Sequence, residues 1–461
     1  MSKKFLSLLI WFSIALAQVF AQDGQTVPVP SPAQLTWQNA ELAAVFHYDL
    51  HVFDGKKYVQ GENRITPVAD YSIFNPKELD TDQWIRSARD MGAKIAILTA
   101  THETGFALYQ SDVNPYSLKA VNWREGKGDL VEDFVNSCRK YGIEPGIYIG
   151  IRWNSFYGIH DFKVQGDSEF SQHRQHYYNQ MCEGMVEELT SRYGDLAIIW
   201  FDGGAHGPAQ GGPDVQGIVE RNQPNTIFYH NLDRADIRWG GSESGTVPYP
   251  CWGTYHSSSW FANRGDSIDF KPIKYGDPEG QFYMPAMSDA PLRGYNGRHE
   301  WFWEPNDEAH IFPLENLMHM YINSVGHNST LILGITPDDR GLVPVPDAKR
   351  MKEFGEEVKS KFAQPIAETS GIGNNIMLAL SQGELIRHIV LQEDIRSGER
   401  VRAFVVEAKV KGQWEEIYEG SSIGHKHIIP IETQEGKVVD GLRLLIKQSR
   451  GEPMIKALKV Y

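Results

Sequence analysis

Cysteine is nearly absent from this chain: 461 residues contain three, Cys138, Cys182 and Cys251. An odd and widely spaced set cannot build a disulfide framework and offers no metal-ligand spacing, so burial as small hydrophobes is expected. Positive charge is scarce too. The net charge is −14, with no basic run and no Cys/His finger, which argues against nucleic acid because such a surface repels phosphates. No Gly-rich phosphate loop follows an apolar strand, and HExxH does not occur. Beyond the N-terminal segment, no apolar stretch is long enough to cross a bilayer.

What is present begins with "MSKKFLSLLIWFSIALAQVFAQDG". Lys3 and Lys4 precede an apolar stretch from Phe5 to Phe20, and Val19-Phe20-Ala21 supplies a small-residue cleavage site. Residues 1–21 therefore read as a signal peptide cut after Ala21, with an uncleaved anchor as the alternative. No cysteine stands at the cut, so no lipid anchor is expected. The product is expected to be exported, periplasmic or secreted, with no membrane span left. Aromatic residues are plentiful, 12 Trp, 20 Tyr and 21 Phe. Their flat faces suit carbohydrate C–H patches, although a large core uses them equally.

One unit recurs from about residue 35 to 345: an amphipathic segment, a glycine turn and a short apolar strand. In "DTDQWIRSARDMGAKIAILTA", Asp80 or Thr81 caps a helix, Trp84, Ala88 and Met91 share one face, Gly92 stops it, and 94–99 is a strand. "LVEDFVNSCRKYGIEPGIYIGI", "MVEELTSRYGDLAIIWF" and "VQGIVERNQPNTIFYHN" repeat the plan. Further strands are expected at 43–48, near 251–254, at 281–285 and at 330–335. Helix–strand alternation with wholly apolar strands argues a parallel sheet covered by helices. Eight such strands predict a (β/α)8 TIM-like barrel over residues 22–345; an open doubly wound sheet is the alternative. Residues 346–368 read as a closing helix and linker. From 369 to 461, short β-branched segments with period-two alternation predict a C-terminal all-β sandwich.

Chemistry in such a barrel sits at the C-terminal strand ends. There the chain places His47 and Asp49, then His102 and Glu103, then Arg152 and Trp153. Trp200 and Asp202 follow, then His230 and Asn231, and finally Asp289, Arg293, Arg298, His299, Glu300, Trp301, Trp303 and Glu304. In "YGDLAIIWFDGGAHG" six apolar residues run directly into Asp202, a poorly solvated position for a charge. A helix N-cap is the plain alternative for it. Each histidine taken singly also has a structural reading, and Trp153 and Trp301 could be core. His47 and His51 are four apart, and His425 and His427 have HxH spacing in the sandwich segment without acidic company. No metal is expected, and no cofactor.

At "LTATHETGF", "WFDGG" and "NSTLILGITPDDRGL" the sequence resembles glycoside hydrolase family 29, the retaining α-L-fucosidases, from about Val45 to Gly341. The resemblance implies Asp202 as nucleophile, with Trp200 packing beside the sugar. "SVGHNSTLILGITPDDRG", from Ser324 to Gly341, is similar to the family's eighth-strand signature. His47 matches the pocket histidine after the first strand, in His47-Tyr48-Asp49 rather than His-Trp-Gly. The family's Lys-His-His-Asp-Gly-Phe is here Thr101-His102-Glu103-Thr104-Gly105-Phe106, so His102 is retained and Glu103 replaces its partner. Trp153 matches a tryptophan after the third strand, and Glu62 in "GENRITP" matches a pocket glutamate. In one branch the acid/base is the Glu of Pro-Ala-Glu-x-Asp; here Pro285-Ala286-Met287-Ser288-Asp289 has Met287 in its place. Glu300 in "GRHEWFWEP" is the substitute expected, with Asp289 and Glu304 as rivals and pairing with Arg293 or Arg298 as its structural alternative.

The expected chemistry is exo-hydrolysis of terminal α-L-fucose from a fucosylated glycan through a glycosyl-aspartate. Substrate contacts are expected from His47, Glu62, His102, Glu103, Trp153, Trp200, Asp289, Arg293 and Trp303, with Trp153 or Trp303 meeting the sugar methyl. Three alternatives are a related sugar such as L-galactose, a non-catalytic carbohydrate-binding barrel and a metal-dependent hydrolase.

Overall fold

The computed structural model describes residues 27–231, 234, 236–259, 270–298, 301–431 and 437–461. The expected signal peptide, His299 and Glu300 lie outside the described residues, as do the side chains of His230 and Asn231. The repeating unit folds as its residues dictate. Helix α1, Pro32–Ala40, precedes strand β1, Leu42–Phe46. Helix α2, Thr81–Met91, is capped by Asp80, whose carboxylate accepts from the Gln83 N–H at 2.9 Å; it ends at Gly92, which takes the left-handed conformation. Its buried face carries Trp84, Ala88 and Met91, and it feeds strand β2, Ile95–Thr101. Helix α3, Leu130–Tyr141, buries Val131, Phe134, Val135 and Cys138 and leads to strand β3, Glu144–Ile149. Helix α4, Glu169–Arg192, precedes β4, Ile198–Ala205, and α5, Gln216–Asn222, precedes β5, Ile227–Asn231. All three cysteines are free and buried.

The barrel closes with β6, Arg238–Trp239, β7, Ala286–Pro291, helix α6, Leu314–Ile322, and β8, Ser329–Ile335. The hydrogen-bonded order is β5-β4-β3-β2-β1-β8-β7-β6, every pairing parallel. That is the cyclic order of a (β/α)8 barrel, nearly closed, with β5 and β6 at its two edges. Near that seam the Asp236 carboxylate accepts from the Phe228 N–H of β5 at 2.8 Å. Two expected strands move. The segment near 251–254 is not the sixth staff: Thr254–Tyr255 pairs antiparallel with Phe282–Tyr283 in a separate ribbon. The seventh begins five residues later than expected, at Ala286, so Asp289 lies inside a strand rather than after one.

Helix α7, Val345–Phe362, follows β8. Eight antiparallel strands then form two sheets: β9, Ala367–Ile372; β10, Asn375–Ile386; β11, His388–Glu393; β12, Val401–Val410; β13, Gln413–Gly420; β14, His427–Pro430; β15, Lys437–Ser449; and β16, Met454–Val460. Their orders are β9-β16-β11-β14 and β10-β15-β12-β13. Between them lies a separate apolar core that includes Phe404, Val406, Leu442, Leu444 and Leu458.

Polar contacts fasten this sandwich to the barrel. Asn328, beside β8, gives its amide to Glu399 at 2.6 Å and accepts the His425 N–H at 2.7 Å. Glu41, at the start of β1, meets Lys426 at 2.5 Å and His425 at 3.2 Å. The His425-Lys426-His427 stretch thus has an acidic neighbour after all, supplied by the barrel 384 residues earlier in the chain. Burial alone would raise the Glu41 pKa, yet the opposite charge of Lys426, with His425, holds it well below the ordinary carboxylate range. A depressed carboxylate pKa stabilises the fold above the unfolded value, and this contribution fades as pH falls through the folded value. Glu41→Gln should therefore cost about 2–3 kcal/mol at pH 7. In thermal melts the deficit against wild type should be full above about pH 4.5 and shrink in stronger acid.

Candidate active site

The site is set by what happens at the end of β4. Seven of its eight residues are buried, and Asp202 alone is exposed. Pairing with β5 shifts register between Trp200 and Ala205, so the strand bulges there. Gly203 and Gly204 take φ of 67° and 102°, which side chains rarely adopt, and a Cβ on Gly203 would lie 2.6 Å from Arg152 Cδ. A bulge re-aims a side chain, and here it turns the carboxylate to the barrel mouth. Asp202 is not a helix N-cap; α5 begins at Gln216 with Val215 before it.

Around Asp202 stand groups from six strand ends. The Tyr148 hydroxyl of β3 donates to its Oδ2 at 3.2 Å. His102 stacks on the Tyr148 ring, centroids 5.2 Å apart, and His47 meets His102 edge-on at 5.5 Å. Trp200 packs against Tyr148 at 5.5 Å. Trp301 lies 5.0 Å from His47 and donates its indole N–H to Glu243 Oε2 at 3.2 Å. Gly334 of β8 makes room for that indole, since a Cβ there would lie 2.5 Å from it. Asp289 of β7 accepts from the Trp239 indole of β6 at 3.0 Å.

A second cluster closes the other side. Glu103 is buried, accepting from Arg64 Nε at 2.6 Å and from the Tyr58 hydroxyl at 2.8 Å. Arg64 also lies over the Trp153 ring at 5.0 Å. Tyr58 packs on Phe302 at 4.9 Å, and its N–H donates to Glu304 at 2.9 Å, so the loop after β1 is tied to the loop after β7.

Electrostatics follow from this crowding. Although Asp202 opens on the pocket, the protein crowded around it strips water from its carboxylate and raises its pKa, repulsion from Glu243 adds to it, and Tyr148, Arg152 and Arg64 oppose. Asp289 is pushed well above the ordinary range by burial, then by Glu243 and Asp202. Burial lowers His47 to about 3 against the pull of Glu243, and lowers His102 strongly, with His47, His51 and Arg64 reinforcing. Both imidazoles are therefore neutral near pH 7, each able to donate and accept. The Nδ1 atoms of both, and the indole N–H groups of Trp153 and Trp200, are buried without a hydrogen-bond partner among the described residues. Such groups fit the hydroxyls of a polyol. Among the described residues no three His, Cys, Asp or Glu side chains gather as a metal site requires.

His47, His102, Glu103, Trp153, Trp200, Asp202 and Asp289 thus come together. Glu62 stands exposed on the short helix Gln60–Asn63, and Arg64, two residues on, reaches in instead. Trp303 is half-buried against the barrel core. Arg293 is a correction: it is buried, its Nε and Nη2 fork onto Asp347 of α7 at 2.8 and 2.7 Å, and its Nη1 lies 3.8 Å from Asp307, so the guanidinium is held between two carboxylates of the fold. Glu304 is occupied by Tyr58 and by Arg298 at 3.1 Å. Sequence reasoning missed Tyr58, Arg64, Tyr148, Trp239 and Glu243. Only Tyr148 left a signal, the alternation Gly146, Tyr148, Gly150 along one strand face.

The profile of the family described as Alpha-L-fucosidase matches residues 33–361. Alpha-L-fucosidase 1 of Arabidopsis thaliana is 27% identical, over 94% of this chain and 88% of its own. A rice protein (Oryza sativa subsp. japonica) named provisionally for the same activity is 30% identical over 94% of this chain and 85% of its own. A crystal structure from Bacteroides thetaiotaomicron VPI-5482, also described provisionally as an alpha-L-fucosidase, is 55% identical, covers 94% of this chain and 99% of its own, and superposes with a TM-score of 0.92.

Arg293→Met breaks a buried ion pair by leaving Asp347 alone, which should cost about 3 kcal/mol of stability. The variant should melt earlier while its KM stays at the wild-type value; a raised KM at unchanged stability would return Arg293 to the pocket.

Proposed function

The chain belongs to the alpha-L-fucosidase family, glycoside hydrolase family 29, and from that premise we propose an exported exo-glycosidase that removes terminal α-L-fucose with retention. The observation that carries the reading is the bulge that leaves Asp202 as the one exposed residue of a buried strand, with a tyrosine hydroxyl on its oxygen. The Lys3–Ala21 segment supports export, and no described helix is long and apolar enough to cross a membrane.

In the first half-reaction an Asp202 oxygen bonds to the anomeric carbon as the glycosidic bond breaks, and a second carboxyl group protonates the departing oxygen. In the second, that group takes a proton from water, which displaces the sugar from Asp202. Retention requires about 5–5.5 Å between the two carboxyls. The described residue best suited to the second role is Glu243. It lies on the loop after β6, is exposed, and its charge reaches His47, Asp202 and Asp289. Glu300, expected from sequence, remains its competitor. Asp289 is less suited because it is enclosed in β7 and engaged by Trp239. The neutral His47 and His102 bond ring hydroxyls, and such bonds strengthen catalysis only where they tighten in the transition state.

Asp202→Asn should lose at least about 10⁴-fold in kcat on an aryl fucoside while melting like wild type. Added azide should restore part of the activity of Glu243→Ala; restoration in Glu300→Ala instead moves the acid/base role there. Tight sugar binding with no release by wild type favours a non-catalytic barrel.

Arg64 supplies a second test. Its positive charge favours the ionised form of Asp202, so removing it raises the pH at which the nucleophile ionises. The acid limb of kcat/KM should move to higher pH in Arg64→Met, and an unmoved or lowered limb rejects the coupling.

A further inference from the structure

Helix α4 is 24 residues long, and its residues from Tyr178 onward supply its whole buried face. Its apolar stripe nevertheless continues into the first turns. Phe170, Arg174, Tyr177 and Tyr178 recur at helical spacing, and Phe170 and Tyr177 are 71% and 53% exposed. The helix therefore overshoots the barrel wall and carries a core-like stripe into solvent. Against this overhang folds the hairpin Ile159–His160/Lys163–Val164, leaving a cavity of about 360 Å³ walled by Tyr157, Ile159, Phe170, Arg174, Tyr177 and Tyr178, with His173 at its edge. Arg174 lies over the Phe170 ring at 5.9 Å and donates to the Tyr157 carbonyl.

We propose that this cavity binds a sugar ring of the glycan that carries the fucose, away from the cleaved bond. The inference rests on the glycosidase reading and adds a distal subsite to it. In a (β/α)8 barrel each helix starts beside the end of its preceding strand, so the overhang belongs to the same face as Asp202. The connection is continuous: Trp153 of the pocket lies 6.1 Å from His160, whose neighbour Ile159 forms the cavity wall, and Asn154 bridges to Ile159. The lining chemistry selects the occupant. Aromatic faces receive the C–H side of a pyranose, while the guanidinium and imidazole offer donors at the rim to its hydroxyls. Among the described residues no carboxylate lines the cavity, and its size falls at the small end of the ~300–1,000 Å³ typical of small-ligand sites.

The test separates this cavity from the catalytic reading. Lacto-N-tetraose, which contains no fucose, is titrated into the wild-type chain and into Phe170→Ala/Tyr177→Ala, followed by saturation-transfer NMR and intrinsic fluorescence. The wild type should bind it, and the double variant should bind at least about tenfold more weakly. In parallel, kcat/KM of the double variant should fall about tenfold on lacto-N-fucopentaose and stay unchanged on an aryl fucoside. Failure of wild type to bind the tetrasaccharide overturns the proposal, as does equal binding by both proteins or an equal loss on both substrates. A shift in oligomeric state of the double variant by light scattering assigns the patch to a second copy instead. If wild type binds the tetrasaccharide but releases no fucose from either substrate, the subsite stands and the catalytic reading fails.

Discussion

Repulsion among Asp202, Glu243 and Asp289 governs the mouth of this barrel. The charge of Glu243 opposes ionisation of both Asp202 and Asp289, and the charge of Asp202 opposes ionisation of Asp289. The structure divides the burden unequally. Asp289, enclosed within β7, is pushed well above the ordinary carboxylate range. Asp202 receives the counterweights: a tyrosine hydroxyl and the positive fields of Arg152 and Arg64. The two histidines cannot serve as countercharges because burial keeps them neutral. Two carboxyls with different proton affinities are what acid–base chemistry at one sugar carbon needs.

The barrel holds this arrangement by joining parts distant in sequence. His47 follows β1, and its N–H donates to Ile335 of β8 at 2.9 Å, so the first and last strands fix one wall together. Tyr58 and Arg64, on the loop after β1, grip Glu103 after β2, and Tyr58 also grips Glu304 after β7. Arg293 and Asp347 lock the region after β7 to α7 from behind. Positions within the pocket are thus set by contacts outside it, as catalytic geometry demands.

How much of this the chain revealed in advance depended on the strength of local pattern. Strands β1 to β4 and β8 are apolar runs bounded by helix stops, and they fell within a few residues of expectation. Two-residue β6 has no period to read, and β7, "AMSDAP", mixes polar with apolar residues although every position is buried, Ser288 bonding the Thr330 carbonyl and Asp289 the Trp239 indole. With β6 misplaced, the loop after it escaped notice, and Glu243 with it. Arg64 lies between two flexible-looking polar stretches, and nothing local announces that it reaches Glu103. Arg293 failed in the opposite direction: it follows a strand and looks like a ligand-binding arginine until Asp347, 54 residues later, is seen in its fork. The resemblance pointed to Asp202, and the structure adds a bulge with two left-handed glycines at that strand end.

The contacts of Glu41 and Asn328 bear on how such a protein changes over time. Polar groups of each side find partners on the other: Glu399 and the backbone N–H of His425 meet Asn328, and Lys426 and the His425 ring meet Glu41. The junction therefore ties the two separate hydrophobic cores to one another through buried polar contacts. Substitution on one side of the junction is constrained by the residue across it, so neither half is free to drift, or to be exchanged for a foreign counterpart, without the other.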